Sequence, residues 1–177
     1  MEDGKGKRPE INHDRLYLVL LATVGLLLLF AVIAQPDRTL FTGFWQIQIS
    51  ETGLITDPMA TGGVGAALLN AALVLLLSTL LVWRMGLPCT GVSFACLYMM
   101  AGFALLGKNL LNIAPIILGG WLYSRYRREK FSKYIYLTLF GTCLAPMVSF
   151  WLAHAQTGLR WLAMGSCGVV IGFLIPA

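Results

Sequence analysis

Charged positions divide the chain more sharply than any other feature. None falls between Arg15 and Asp37, between Asp57 and Arg84, between Arg84 and Lys108, or between Lys133 and Arg160. Each interval is longer than the roughly 20 apolar residues that a helix needs to cross a bilayer. The pattern predicts an all-α fold, a polytopic transmembrane helical bundle of about six spans near 16–34, 63–83, 87–106, 110–123, 134–153 and 161–177. The fourth span is short and carries Pro115, Gly119 and Gly120, so it is expected to kink or break. Residues 86–124 hold a single charge, Lys108. At 1.5 Å per residue this stretch makes about 58 Å of helix, two crossings of a core of about 30 Å. Lys108 and Asn109 then form the turn of a helical hairpin.

The polar segment 1–15 is expected on the cytoplasmic side, followed by one transmembrane domain over 16–177. The first apolar run outlasts the 7–15-residue core of a signal sequence and leads into Gln35-Pro36-Asp37 rather than a small-residue cleavage site. It reads as a retained span. The connection 35–62 is too long and too apolar for an ordinary loop, with Phe41, Phe44, Trp45, Ile47 and Ile49. Two readings stand for its central part, 40–60: a segment lying in the interface, or one re-entering the membrane, where irregular backbone must face protein or water. The chain closes on Gly172-Phe173-Leu174-Ile175-Pro176-Ala177 within an apolar run, without the polar flank that usually anchors a last span. That is the expected look of one half of a longer protein.

Composition agrees: 58% of residues are hydrophobic and 12% are charged, against roughly 45–50% and about 25% in soluble domains. The net charge of +5 does not indicate nucleic acid, because the basic residues flank the apolar runs and no aromatic–basic interleaving accompanies them. With the amino terminus inside, Lys5, Lys7, Arg8, Arg15, Arg84 and the five basic residues of 125–133 lie inside, and Arg38, Lys108 and Arg160 outside. Ten against three is a positive-inside bias, and it points to a cytoplasmic (inner) membrane. Cys89, Cys96, Cys143 and Cys167 sit within apolar runs without a C-x-x-C pair, so they read as small buried hydrophobes, with no metal or cofactor implied.

Two stretches carry the candidate chemistry. In the first, Asp57 is a good N-cap and Pro58 suits a first helical turn, so a helix starts there. Gly62, Gly63, Gly65, Ala66 and Ala67 let a second helix approach closely, and Asn70 shares the face of Gly63, Ala66 and Ala67. These residues are either a packing surface with one interhelical hydrogen bond or part of a solute site at a helix start. In the second, Lys108, Asn112, Pro115 and Gly119 fall at helical spacing next to Asn109. Lys108 is either in water in an outer turn or an intramembrane ionisable group, which by default indicates function. Glu51, Asp57 and Lys108 share one side of this topology, so a Lys108–Asp57 pair is expected, with Glu51 as the second choice.

An enzyme reading fails on geometry. Six spans with Gly91-Val92-Ser93 and a distant His154 resemble the rhomboid intramembrane serine proteases. Helix rise separates Ser93 and His154 by about 20 Å in depth, a nucleophile and its base need about 3 Å, and Phe94 stands where that family has a small residue. The segments Ile55-Thr56-Asp57, Gly62-Gly63-Val64-Gly65-Ala66-Ala67 with Asn70, and Gly107-Lys108-Asn109 with Asn112 and Pro115 resemble a bacterial family of multi-pass membrane proteins known only as a domain of unknown function. The resemblance covers most of the chain after Ile49 and implies longer members continuing past a Gly-Phe-x-x-Pro segment. It implies no activity. A weaker similarity, Leu87-Pro88-Cys89-Thr90 to the Leu-Pro-x-x-Thr signature of urea channels, is one residue short. The expected function is transporter- or channel-like, for a small solute, in contact with lipid and with a second copy or a second half of the same protein. The alternative is a structural or assembly subunit without a solute path.

Overall fold

The computed structural model describes residues 13–50, 57–154 and 159–177. Among them every regular element is helical: α1 (His13–Ala34), α2 (Thr39–Ile49), α3 (Pro58–Gly62), α4 (Val64–Arg84), α5 (Gly91–Ala104), α6 (Leu110–Tyr126), α7 (Ile135–Gly141), α8 (Ala145–His154) and α9 (Arg160–Leu174), with 3-10 turns at Phe131–Lys133 and Thr142–Leu144. The all-α expectation holds for these residues. Two helices, Asp14–Ala34 and Val64–Arg84, are long and apolar enough to cross a membrane, whereas Gly91–Ala104, Ile135–Phe150 and Arg160–Leu174 are apolar but shorter. Glu51, most of the amino-terminal polar segment and part of 40–60 lie outside the described residues.

α4 is the central rod and α1 runs antiparallel along it. At one end the Tyr17 hydroxyl donates to the Leu87 carbonyl at 2.7 Å. At the other, a Cβ added to Gly65 would sit 2.5 Å from the Ala31 carbonyl oxygen, so the backbones touch. α1 buries Leu20, Val24 and Ala31 but leaves Leu18, Leu29, Phe30 and Ile33 more than half exposed. Keeping one such side chain in water rather than buried costs about 1.5–3 kcal/mol, so this face suits an apolar surrounding. α6 and α9 run parallel and equally close. A Cβ on Gly119 would meet the Val169 carbonyl oxygen at 2.2 Å, and one on Gly172 the Ile116 carbonyl oxygen at 1.9 Å. Small residues here let dispersion contacts form along the whole pair.

Local chemistry sets the breaks. Pro36 disfavours helix at the residue before it, and the Asp37 carboxylate accepts from the Thr39 N–H at 2.9 Å and from its hydroxyl, starting α2. These bonds hold the exposed Asp37 carboxyl below its usual range. As expected, Asp57 caps α3, accepting from the N–H groups of Met59 and Ala60 at 2.9 and 3.2 Å, with Pro58 in the first turn. That helix does not run on into the long rod. Gly63 turns it at φ 92°, and α4 begins at the next residue. A side chain at this φ is strained, and a Cβ there would also meet the Gln35 Oε1 at 2.6 Å.

The span expected over 134–153 is likewise interrupted. α7 ends at Gly141, a 3-10 turn covers Thr142–Leu144, and α8 restarts with Pro146 at its second position. Pro146 has no N–H to offer the Thr142 carbonyl four residues back, which explains the break. Pro115, by contrast, sits inside an unbroken α6. The expected break therefore lies one rod later than the sequence suggested.

Candidate functional site: a buried polar layer around Lys108

Helix ends from several elements converge at one level of the bundle. Asn70, two turns into α4, donates from Nδ2 to the Ala104 carbonyl at 3.1 Å and the Lys108 carbonyl at 2.8 Å. The tip of the α5–α6 hairpin therefore lies beside Asn70, about 9 Å short of the α4 amino-terminal end, taking 1.5 Å per residue. α2 and α3 fill the space beyond it. They cross where Gly43 and Gly62 meet, each with its virtual Cβ within 2.4 Å of the other's carbonyl oxygen. The crossing lets α2 lean inward until Ile47 and Gln48 are buried against the tip.

Side-chain amides then join these ends. Gln48 Nε2 donates to Asn70 Oδ1 at 2.9 Å, and Gln48 Oε1 accepts from the Leu110 N–H at 3.0 Å. Asn109 Nδ2 donates to the Ile47 carbonyl at 3.0 Å, satisfying a carbonyl at the end of α2. Asn109 and Asn112 form a reciprocal capping box at the start of α6, with bonds of 2.8 and 2.9 Å. Asn112 Nδ2 also donates to the Gly107 carbonyl at 3.0 Å and to Ser149 Oγ on α8 at 2.9 Å. Every one of these amides is buried and bonded, the condition under which polar groups are tolerated in an apolar interior.

Lys108 differs from the rest of the layer. It is 1% exposed and is the largest of the fully buried side chains. Its Nζ donates to Thr142 Oγ1 at 2.9 Å, at the α7–α8 break, and to the Met100 sulfur at 3.3 Å on α5. It lies 5.1 Å from the centroid of the Phe103 ring. Among the described residues no carboxylate pairs with it, and the thiols of Cys96 and Cys143 are its titratable neighbours. An outer turn in water is excluded by this burial.

The expected Lys108–Asp57 pair does not form. Asp57 is exposed and spends its carboxylate on the α3 backbone, while Lys108 points into the bundle towards Thr142. The structure gathers Asn70, Lys108, Asn109 and Asn112 into one layer, while Gly62 and Gly63 act beside it as close-packing and turn positions. Gln48, Met100, Thr142 and Ser149 belong to the layer and were missed. Gln48 lies between Ile47 and Ile49 and is the more deeply seated of the two α2 glutamines, and Thr142 is bracketed by Gly141 and Pro146; amides and hydroxyls set in apolar surroundings or at a helix break are signals that a sequence reading could use. Ser93, the nucleophile of the rejected protease reading, is bonded to Tyr136 Oη at 2.7 Å and to Thr90 at its helix start.

The match of this chain to a protein family runs from residue 36 to residue 177 and includes the whole polar layer. The chain belongs to the family described as Protein of unknown function (DUF1576). No curated protein and no solved structure matches it. Membership of DUF1576 therefore assigns a family without assigning an activity, and the reading of function rests on the layer itself.

Proposed function

We propose that this DUF1576 chain is a multi-pass protein of a bacterial cytoplasmic membrane, with its amino terminus inside, and that it carries a small solute through the layer around Lys108. The observation behind this is a lysine sealed at the junction of α5, α6 and the α7–α8 break, within a bundle whose α1 face is apolar and exposed. Ionisable groups at membrane depth are costly and mark solute or ion pathways, and interrupted helices are the usual frame for such sites. On this reading α1, α4, α5, α6, the α7–α8 rod and α9 are the six crossings, and α2–α3 are a re-entrant cap over the hairpin tip.

A second reading, a structural or assembly subunit, is favoured by the complete bonding of the amides, which act as interhelical glue. One experiment separates the two. In a chain whose four native cysteines are replaced by alanine, Thr142→Cys and Ser149→Cys are near-isosteric probes on the layer. A solute path predicts labelling by a membrane-impermeant, water-soluble thiol reagent in membranes. Absence of labelling at both positions, with the same probe reacting at Arg38→Cys as a control, would favour the structural subunit.

A further inference from the structure

The Asn and Gln side chains of the layer are engaged by backbone N–H and carbonyl groups, by one another and by Ser149, so they have little left to offer a ligand. Lys108 alone is held by replaceable partners: one hydroxyl, one thioether and one aromatic face. A thioether is a weak acceptor on a flexible side chain. The Thr142 hydroxyl has two acceptors within reach, the Leu139 carbonyl at 2.6 Å and the Met100 sulfur at 3.2 Å, and the shorter bond to Leu139 leaves its oxygen to accept from Lys108. This arrangement and the Phe103 ring both suit a positively charged donor.

Among the described residues Lys108 meets no counter-charge; a buried cation in that setting is strongly destabilised, and supplying a negative charge removes that cost. From this geometry we infer that Lys108 is the primary contact of a small anion, a carboxylate or an inorganic anion, which enters by displacing the Met100 thioether from Nζ. Thr142, already oriented by Leu139, keeps the ammonium aimed at the ligand. This rests on the solute-path reading and names the class of its cargo as anionic.

The test uses the full chain in a non-ionic maltoside detergent, with ionic strength held constant by the potassium salt of a bulky zwitterionic sulfonate buffer, which is neither a carboxylate nor a small inorganic anion. Potassium chloride, phosphate and acetate are titrated while Tm is read. At least one anion is expected to raise Tm saturably, by roughly 5–10 °C at about a hundredfold excess over Kd. Lys108→Met, which removes the charge at similar volume, should fold without added anion and lose the response. Thr142→Val should keep the amine and weaken apparent affinity about tenfold or more. No anion-specific rise in the native chain, or an equal rise in Lys108→Met, overturns the inference. So does a loss of stability in Glu51→Gln that is restored by adding Lys108→Met, since the charge would then be neutralised within the chain. Labelling at Thr142→Cys without any anion response would leave the solute path standing and remove its anionic cargo.

Discussion

Replacing Asn70 with leucine tests whether the polar layer is what joins the hairpin tip to the rest of the bundle. The substitution nearly preserves volume and removes three hydrogen bonds: one accepted from Gln48 and two donated to the carbonyls of Ala104 and Lys108. Side-chain hydrogen bonds between membrane helices average about 0.6 kcal/mol each and reach about 1.7 kcal/mol. The three together give a loss of about 2 kcal/mol, rising to about 5 kcal/mol if the stranded groups find no new partner. Asn70→Asp should be worse than Asn70→Leu, because it sets a carboxylate oxygen against two carbonyl oxygens. The measurement is unfolding of the purified variants in mixed micelles titrated with SDS, with a double-mutant cycle against Gln48→Met. A coupling of roughly 0.6–1.7 kcal/mol is expected for that pair. A loss below about 0.5 kcal/mol for Asn70→Leu, or strictly additive single losses, would refute the assignment of the layer as an interhelical joint.

Three further outcomes are expected. Gly119→Ala and Gly172→Ala drive a methyl group into backbone at about 2 Å and should each cost about 1–3 kcal/mol. Gly165→Ala, on the same helix as Gly172 but with nothing within 4 Å, should stabilise by up to about 1 kcal/mol; equal effects at all three positions in a melting series would contradict the α6–α9 contact. Asp57→Ala should cost about 0.5–2 kcal/mol through loss of its cap, and this loss should add to that of Lys108→Met. Non-additivity would mean that the two residues meet after all. Reporter fusions after Lys133 and after Gln156 should report opposite sides of the membrane, inside and outside respectively, and agreement between them would refute the proposed crossing order.

Local chemistry made part of this protein legible in one dimension. The charge-free runs name the apolar rods because a helix buried or lipid-facing on all sides cannot hold an isolated charge cheaply, and α1 and α4 appear where those runs lie. The Asp57-Pro58 helix start was equally readable, since a cap depends on residues only two and three positions away. The hairpin turn at Lys108 and Asn109 followed from length alone. Its depth did not. Asn109 seals the end of α2 across 62 positions of sequence, and Asn70 reaches Lys108 across 38; no periodicity records which amide meets which carbonyl. For the same reason the charge count suggested a Lys108–Asp57 pair, whereas packing turned Lys108 inward to Thr142 and left Asp57 on its own helix. Composition can tell that a lysine lies among apolar residues, but whether its charge faces water, a carboxylate or a hydroxyl at a helix break is decided only when distant helix ends meet.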